Sequence, residues 1–251
     1  MKVLGIIPAR FKSTRYPGKP LVDILDKPLV IHVAEKAAIA LGAENVVIAT
    51  EDERIVAVAE KNGFKALITS DKHPTGTDRL WEVAQKIQAD VYINIQGDEP
   101  MVNPDDILKI AVLKQQFPEY VINGMCSLSA SEDPQNINIP KVLVNSKNDL
   151  IYMSRLAIPG IKADIGRKPN YLKQVCIYGF NYTDLKAYGE MNSKAEFEAF
   201  EDIEILRFLE LRIPVKMVLT DGNTLAVDTP EDVEKVTKAI LKQTSGNYLD
   251  Y

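Results

Sequence analysis

The feature that most constrains this chain is a rhythm in its first hundred residues. Four short runs rich in β-branched and aliphatic side chains, at residues 2–8, 45–50, 65–69 and 91–95, are separated by longer segments with helical apolar spacing. Those segments, roughly 29–41, 52–62 and 77–88, are long enough to return the chain for a parallel strand. The pattern predicts an α/β protein built on a Rossmann-like, doubly wound, mostly parallel sheet. After Pro104 the rhythm loosens. Apolar runs at 120–128, 142–144, 175–182 and 215–219 alternate with loops rich in Pro, Asn, Asp and Lys, so this half is expected to complete the sheet while carrying an insertion. Helices over roughly 200–211 and 231–243 are expected to close the fold. Thr229-Pro230-Glu231-Asp232 supplies the start signal of the second, and the tail 245–251 is expected to fray.

With 46% hydrophobic and 26% charged residues, a chain of 251 can bury a full core as one domain or one domain with an insertion. No apolar run approaches the roughly 20 residues that cross a bilayer, and Met1 to Ile7 is too short for a secretory segment. A cytoplasmic protein is expected. Cys126 and Cys176 sit in apolar stretches without metal-ligand spacing, which predicts buried, reduced thiols. A net charge of -5 argues against broad nucleic-acid binding, yet leaves room for a local basic pocket.

Such a pocket has an obvious source. Directly after the first strand comes Pro8-Ala9-Arg10-Phe11-Lys12-Ser13-Thr14-Arg15-Tyr16-Pro17-Gly18-Lys19-Pro20, a loop with two arginines and two lysines at the place that faces ligand in a doubly wound sheet. Guanidinium groups pair bidentately with phosphate oxygens and an ammonium acts as a compact charge, which suits a triphosphate. The loop is neither a Walker loop nor a Gly-x-Gly-x-x-Gly turn, and composition alone also allows an ordinary solvated basic loop. The fourth strand ends in Gln96-Gly97-Asp98-Glu99-Pro100, placing a carboxylate at the sheet's crevice, and a second acidic cluster follows at Asp228. Two carboxylates completed by waters and substrate oxygens make a Mg²⁺ site, although an Asp before Pro or Gly is as often a turn or cap. His73-Pro74-Thr75-Gly76-Thr77-Asp78-Arg79 leads into the third helix, where hydroxyls and free N–H groups can hold a base, ribose or phosphate. His32 reads as packing, and His73 as either a surface residue or a ligand contact.

These motifs, taken in order with Ile6-Ile7-Pro8-Ala9-Arg10, Lys19-Pro20-Leu21, Asn94-Ile95-Gln96-Gly97-Asp98-Glu99-Pro100, Tyr152-Met153-Ser154-Arg155 and Val227-Asp228-Thr229-Pro230-Glu231-Asp232, resemble the 3-deoxy-manno-octulosonate (Kdo) cytidylyltransferases over nearly the whole chain. The resemblance implies a nucleotide-diphospho-sugar transferase type of fold in a single domain. A CTP-binding part covers about 1–120 and 215–245, and an inserted sugar-binding and dimerisation part about 121–214. It implies CTP over Pro8, Arg10, Ser13, Arg15 and Lys19, bordered by Thr77, Asp78, Arg79 and Gln96, with Mg²⁺ on Asp98 and Asp228. Arg10, Lys19, Asp98 and Asp228 would be the catalytic set. Arg155, Gln174, Tyr178 and Glu204 would line the sugar pocket, Arg155 on the sugar carboxylate. It also implies a homodimer and a role in lipopolysaccharide or a related glycan.

Two departures bear on the sugar. Gln174-Val175-Cys176-Ile177-Tyr178 stands where the family usually has His-x-Gly-Ile-Tyr. Glu204-Ile205-Leu206-Arg207-Phe208-Leu209-Glu210 is set against the family's Glu-x-Leu-Glu-Gln-Leu-Arg, with charge reversed at Arg207 and Glu210 and Phe208 at the glutamine. On that reading an 8-amino Kdo or another ulosonic acid is an alternative acceptor. A sialic-acid-like or sugar-phosphate nucleotidyltransferase, and a non-catalytic nucleotide-binding relative, are the further alternatives.

Overall fold

The computed structural model describes residues 1–13, 15–163, 166–222 and 225–246. Strand β1 (Val3–Ala9) is followed by the basic loop, a two-strand hairpin of β2 (Asp23–Ile24) and β3 (Lys27–Pro28), and α1 (Leu29–Leu41). Then come β4 (Val46–Thr50), α2 (Glu53–Lys61), β5 (Lys65–Ile68), α3 (Gly76–Lys86) and β6 (Val91–Ile95). The second half adds α4 (Pro104–Gln116), β7 (Val121–Ser127), β8 (Lys141–Val144), β9 (Leu150–Ser154), β10 (Leu172–Phe180), α5 (Tyr182–Gly189), α6 (Glu196–Glu201), α7 (Leu206–Glu210), β11 (Val215–Leu219) and α8 (Pro230–Gly246).

The main sheet runs β11-β7-β10-β6-β1-β4-β5, with β8 and β9 branching off β10 as a hairpin. Pairings β1–β4, β1–β6, β4–β5 and β11–β7 are parallel, and β10 runs antiparallel between β6 and β7. The expected doubly wound, mostly parallel α/β sheet is therefore present, and the second half extends that sheet directly. The central strands β4 and β6 are buried along their whole length. Along β4, Val46 and Ile48 face a core layer closed by α1, α2 and α4, while Val47 and Ala49 face a layer closed by α3, α5 and α7. That alternation explains why the central strands read as continuous apolar runs.

The crossover after β1 leads outward to β4, whereas the one after β6 leads the opposite way to β7. A crevice opens at the carboxyl ends of such a pair, between β1 and β6. The basic loop leaves β1 there and Gln96-Gly97-Asp98 leaves β6 there. Gly97 is required by this closeness, since a Cβ at that position would stand 2.7 Å from the Pro8 carbonyl oxygen.

Three expectations need correction. Helix α4 was not anticipated, although Asn103 caps it through a bond from the Asp105 amide and Pro104 opens it. The single helix expected over 200–211 is two helices, because Asp202 adopts a left-handed conformation (φ 50°) and ends α6. Helix α8 continues to Gly246, so the start of the expected frayed tail is helical, and 247–251 lie outside the described residues.

Candidate active site

The basic loop is held in shape from behind. The amides of Phe11 and Lys12 donate to Glu51 Oε1 at 2.8 and 3.3 Å, the Gly18 amide donates to the Phe11 carbonyl at 2.9 Å, and the Arg54 guanidinium lies 3.5 Å over the Phe11 ring. Glu51 is in turn paired with Arg79 at 3.0 Å. Arg79 is buried, which lowers its pKa, and also donates to the Thr69 hydroxyl, so it acts mainly as a prop beneath the loop. Arg10 donates to the His73 carbonyl at 2.8 Å while the His73 ring bonds Glu82, so His73 supports an arginine from behind. His32 bonds the Ile24 carbonyl at 2.7 Å, a packing role as expected.

Two connected hollows meet at the crevice. The first, about 260 Å³, is lined by Pro8, Arg10, Lys12, Ser13, Arg15, Lys19, Arg79, Gln96 and Asp98 together with Thr75 and Gly76. The second, about 430 Å³, shares Arg15, Gln96 and Asp98 with it and adds Asp228, Arg155, Gln174, Cys176, Tyr178 and Glu204. Asp98 and Asp228 stand at the junction. Lys19 Nζ is 2.7 Å from Asp98 Oδ2 and 3.4 Å from Asp228 Oδ1, and Arg15 reaches Asp228 at 3.0 Å. A backbone bond from the Val227 amide to the Asp98 carbonyl, 2.9 Å, locks the two segments together. Val227 itself is fully buried against Ile24, Leu29 and Val236, an anchor worth about 1.5–3 kcal/mol.

The two aspartates thus converge on one cation, with 28% and 39% of their side chains exposed to the crevice. Their donor set of hard carboxylate oxygens with solvent access fits Mg²⁺, waters and phosphate oxygens supplying the remaining ligands. Among the described residues no larger cluster of His, Cys, Asp or Glu suited to a metal occurs.

Thr77 and Asp78, expected to border the cytidine or its cleft, stand behind the two hollows. Thr77 is fully buried and Asp78 nearly so, and neither lines a hollow. Their task is to build the start of α3. Thr75 caps that helix by accepting from the Asp78 amide, and Glu204 closes it from across the fold, accepting from the amides of Gly76 at 3.1 Å and Thr77 at 3.0 Å and from the Thr77 hydroxyl. A carboxylate against a helix N-terminus is favourable. Burial pushes the Glu204 pKa up, while bonds from Thr77 and Gly76 draw it back.

Arg155 borders the larger hollow, with Nε, Nη1 and Nη2 donating to the carbonyls of Glu201, Ile137 and Asp202. Its guanidinium is fixed, with the Asp202 carboxylate 3.9 Å from Nη2, and among the described residues these bonds use three of its five N–H groups. Tyr178 is buried, which raises its pKa well above the ordinary value, so it stays protonated. Cys126 is buried as expected. Cys176 is only half-buried and lines the hollow, its thiol pKa raised by burial. Sequence reasoning missed the Lys173–Glu132 pair, 2.5 Å, and Asn138 in the same wall. Lys173 stands next to Gln174, which was the available signal.

Comparison with known proteins follows this geometry. Residues 4–217 match the model of a family described as Cytidylyltransferase. The chain belongs to that family. Its relatives include 3-deoxy-manno-octulosonate cytidylyltransferase of Escherichia coli, 35% identical over 246 residues that cover 98% of this chain and 99% of that protein. The enzyme of that name from Solibacter usitatus is 39% identical, covering 98% of both chains. A solved structure of CMP:2-keto-3-deoxy-manno-octonic acid synthetase complexed with CTP superposes with a TM-score of 0.90 at 37% identity, covering 97% of this chain and all of that one.

Within this cytidylyltransferase the second departure dissolves. Arg207 has no exposed side-chain surface and does not line the larger hollow. It binds Glu198 through Nε and Nη2 at 2.5 and 2.8 Å, Asp78 at 3.0 Å and the Tyr188 carbonyl at 3.1 Å, and it stacks 3.6 Å over the Tyr188 ring. Phe208 is a core residue packed on Phe180 and Tyr188, and Glu210 accepts from the amides that open α6. The family pattern fits three residues earlier, as Glu201-Asp202-Ile203-Glu204-Ile205-Leu206-Arg207, with both glutamates, the second leucine and the arginine in their places. No charge is reversed. What differ are Gln174 and Cys176 in the first pattern and Ile203 and Ile205 in the second.

Proposed function

We propose that this cytidylyltransferase transfers CMP from CTP to the anomeric hydroxyl of 3-deoxy-manno-octulosonate, releasing pyrophosphate. The observation that carries this reading is the convergence of Asp98, Asp228, Lys19 and Arg15 at the junction of a basic hollow and a polar one. CTP is assigned to the first, with Arg10, Ser13, Arg15 and Lys19 on its phosphates and Gln96 at the reacting end. The acceptor is assigned to the second, with its carboxylate on the Arg155 guanidinium and its hydroxyls toward Gln174, Tyr178 and Glu204. Asp98 and Asp228 hold Mg²⁺, which when bound neutralises phosphate charge and lowers the pKa of the attacking hydroxyl. Lys19 and Arg10 stabilise the charge that develops on pyrophosphate, and the walls set donor and acceptor in line.

Use of CTP supports a cytoplasmic reaction. Among the described residues no helix is long and apolar enough to cross a membrane. Ile151, Leu156 and Ile161 are exposed apolar side chains of the part assigned to dimerisation, and they support the homodimer. A second reading, another ulosonic acid such as 8-amino Kdo, is favoured by Gln174 in the acceptor wall.

The test is pyrophosphate release with CTP and Mg²⁺ against Kdo, 8-amino Kdo, N-acetylneuraminate and hexose phosphates. Turnover with Kdo supports the first reading and turnover with another acid alone overturns it. The Asp98→Asn control should lose at least about a hundredfold in kcat while melting within about 2 °C of wild type. Equal losses of activity and stability would refute the metal role.

A further inference from the structure

Asn123 lies in β7 with no exposed surface. Its Nδ2 donates to the carbonyls of Val175 at 2.8 Å and Ile177 at 3.0 Å. Those carbonyls belong to β10 where its register against β7 shifts between Val175 and Tyr178. Such an irregularity leaves backbone groups without ladder partners, and the Asn123 amide supplies one. Carbonyl oxygens only accept, so the atom facing both must be nitrogen, which turns Asn123 Oδ1 the other way. Gln174 Nε2 donates to that Oδ1 at 3.0 Å and stands 3.5 Å from the Tyr178 hydroxyl. The donor end of Gln174 is therefore committed. Among the described residues Oε1 takes no hydrogen bond, and it is the polar atom that this side chain has left for a ligand in the acceptor hollow.

We infer that Asn123 is a positioning residue for acceptor recognition: it fixes the Gln174 amide so that its carbonyl oxygen reads a hydrogen-bond donor, a hydroxyl or a protonated amine, on the sugar acid. The inference rests on the assignment of the larger hollow to the acceptor. It also makes this contact indifferent to pH, because an amide does not titrate where an imidazole at the same place would.

The experiment compares wild type, Asn123→Leu, Gln174→Leu and the double variant for KM and kcat with the acceptor and with CTP. Losing the oriented acceptor atom should raise the acceptor KM by about tenfold to a hundredfold in either single variant, leave the CTP KM within about twofold, and leave the double variant no worse than the poorer single one. Additive losses, or equal damage to the CTP KM, overturn the proposal. Gln174→His should bring in a pH dependence of the acceptor KM between about 5 and 8 that wild type lacks. A readout in the free wild-type protein needs no acceptor: by NMR the side-chain amide hydrogens of Gln174 should exchange more slowly than those of exposed Gln135. Equal rates overturn the proposal even if Kdo is turned over, whereas slow exchange in a protein inactive on Kdo sinks only the functional assignment.

Discussion

Arg207 offers the sharpest test of how this enzyme is built. Replacing it by methionine keeps most of the volume and removes the charge. Two carboxylates are then stranded, since Glu198 and Asp78 have 1% and 9% of their side chains exposed and both bond the guanidinium. Breaking a buried ion pair from one side costs about 3–5 kcal/mol. With two carboxylates left behind and the Tyr188 ring and carbonyl also losing their partner, the expected cost is at the top of that range, about 5 kcal/mol. For a chain of this size each kcal/mol moves the melting temperature by about 2–4 °C, so Arg207→Met should melt roughly 10–20 °C lower by calorimetry. Adding Glu198→Gln should recover part of the loss, because one stranded charge disappears. At a temperature where the variant remains folded, its acceptor KM should stay near that of wild type. A fall of under about 3 °C combined with a tenfold rise in acceptor KM would refute the reasoning and return Arg207 to the sugar site.

Two further outcomes follow from local geometry. Gly97→Ala pushes a methyl group to 2.7 Å from the Pro8 carbonyl oxygen, so the ends of β1 and β6 must separate, and the CTP KM should rise at least about tenfold; an unchanged value in a titration with CTP would show that the crevice has slack. Burial opposes ionisation of Glu82, but Lys86, the Ser70 amide and His73 hold its carboxyl at about 2 against an ordinary 4.5. A depressed carboxyl contributes its full stability above pH 4.5 and loses it as the pH falls toward 2, so Glu82→Gln should flatten the decline of melting temperature across that window. An identical slope would mean the pairing is energetically neutral.

The first half of the fold could be read almost residue by residue, because strands buried on both faces announce themselves as apolar runs and α1, α2 and α3 show the helical period. Helix α4 was less visible. Its buried face includes Asp106 and Lys114, which blur the apolar stripe even though Asn103-Pro104 marked its start. The break at Asp202 carried no Gly or Pro to announce it. The strand order was out of reach, because nothing local says that β10 inserts antiparallel between β6 and β7. At the site, the loop cations and Asp98 were legible as charge at strand ends, and Asp228 as part of an acidic cluster before the last helix. The roles of Thr77, Asp78 and Arg79 were not, since a polar run before a helix reads the same whether it faces ligand or caps the helix. The misplaced Glu-x-Leu-Glu-Gln-Leu-Arg pattern has a physical origin as well. Read as one helix, a segment shifted by three keeps its apolar positions plausible, and only the break at Asp202 and what each charge touches betray the shift.

The clasp between Val227 and Asp98 has a consequence for how the enzyme comes into being. Lys19 meets Asp98 across 79 positions of sequence and Asp228 across 209. A chain still being synthesised can therefore complete the β1–β6 crevice and seat Lys19 on its first carboxylate long before the second has been made. Until the segment around Val227 arrives and docks on Ile24 and Leu29, the nascent protein holds only one of the two aspartates that Lys19 meets in the finished fold.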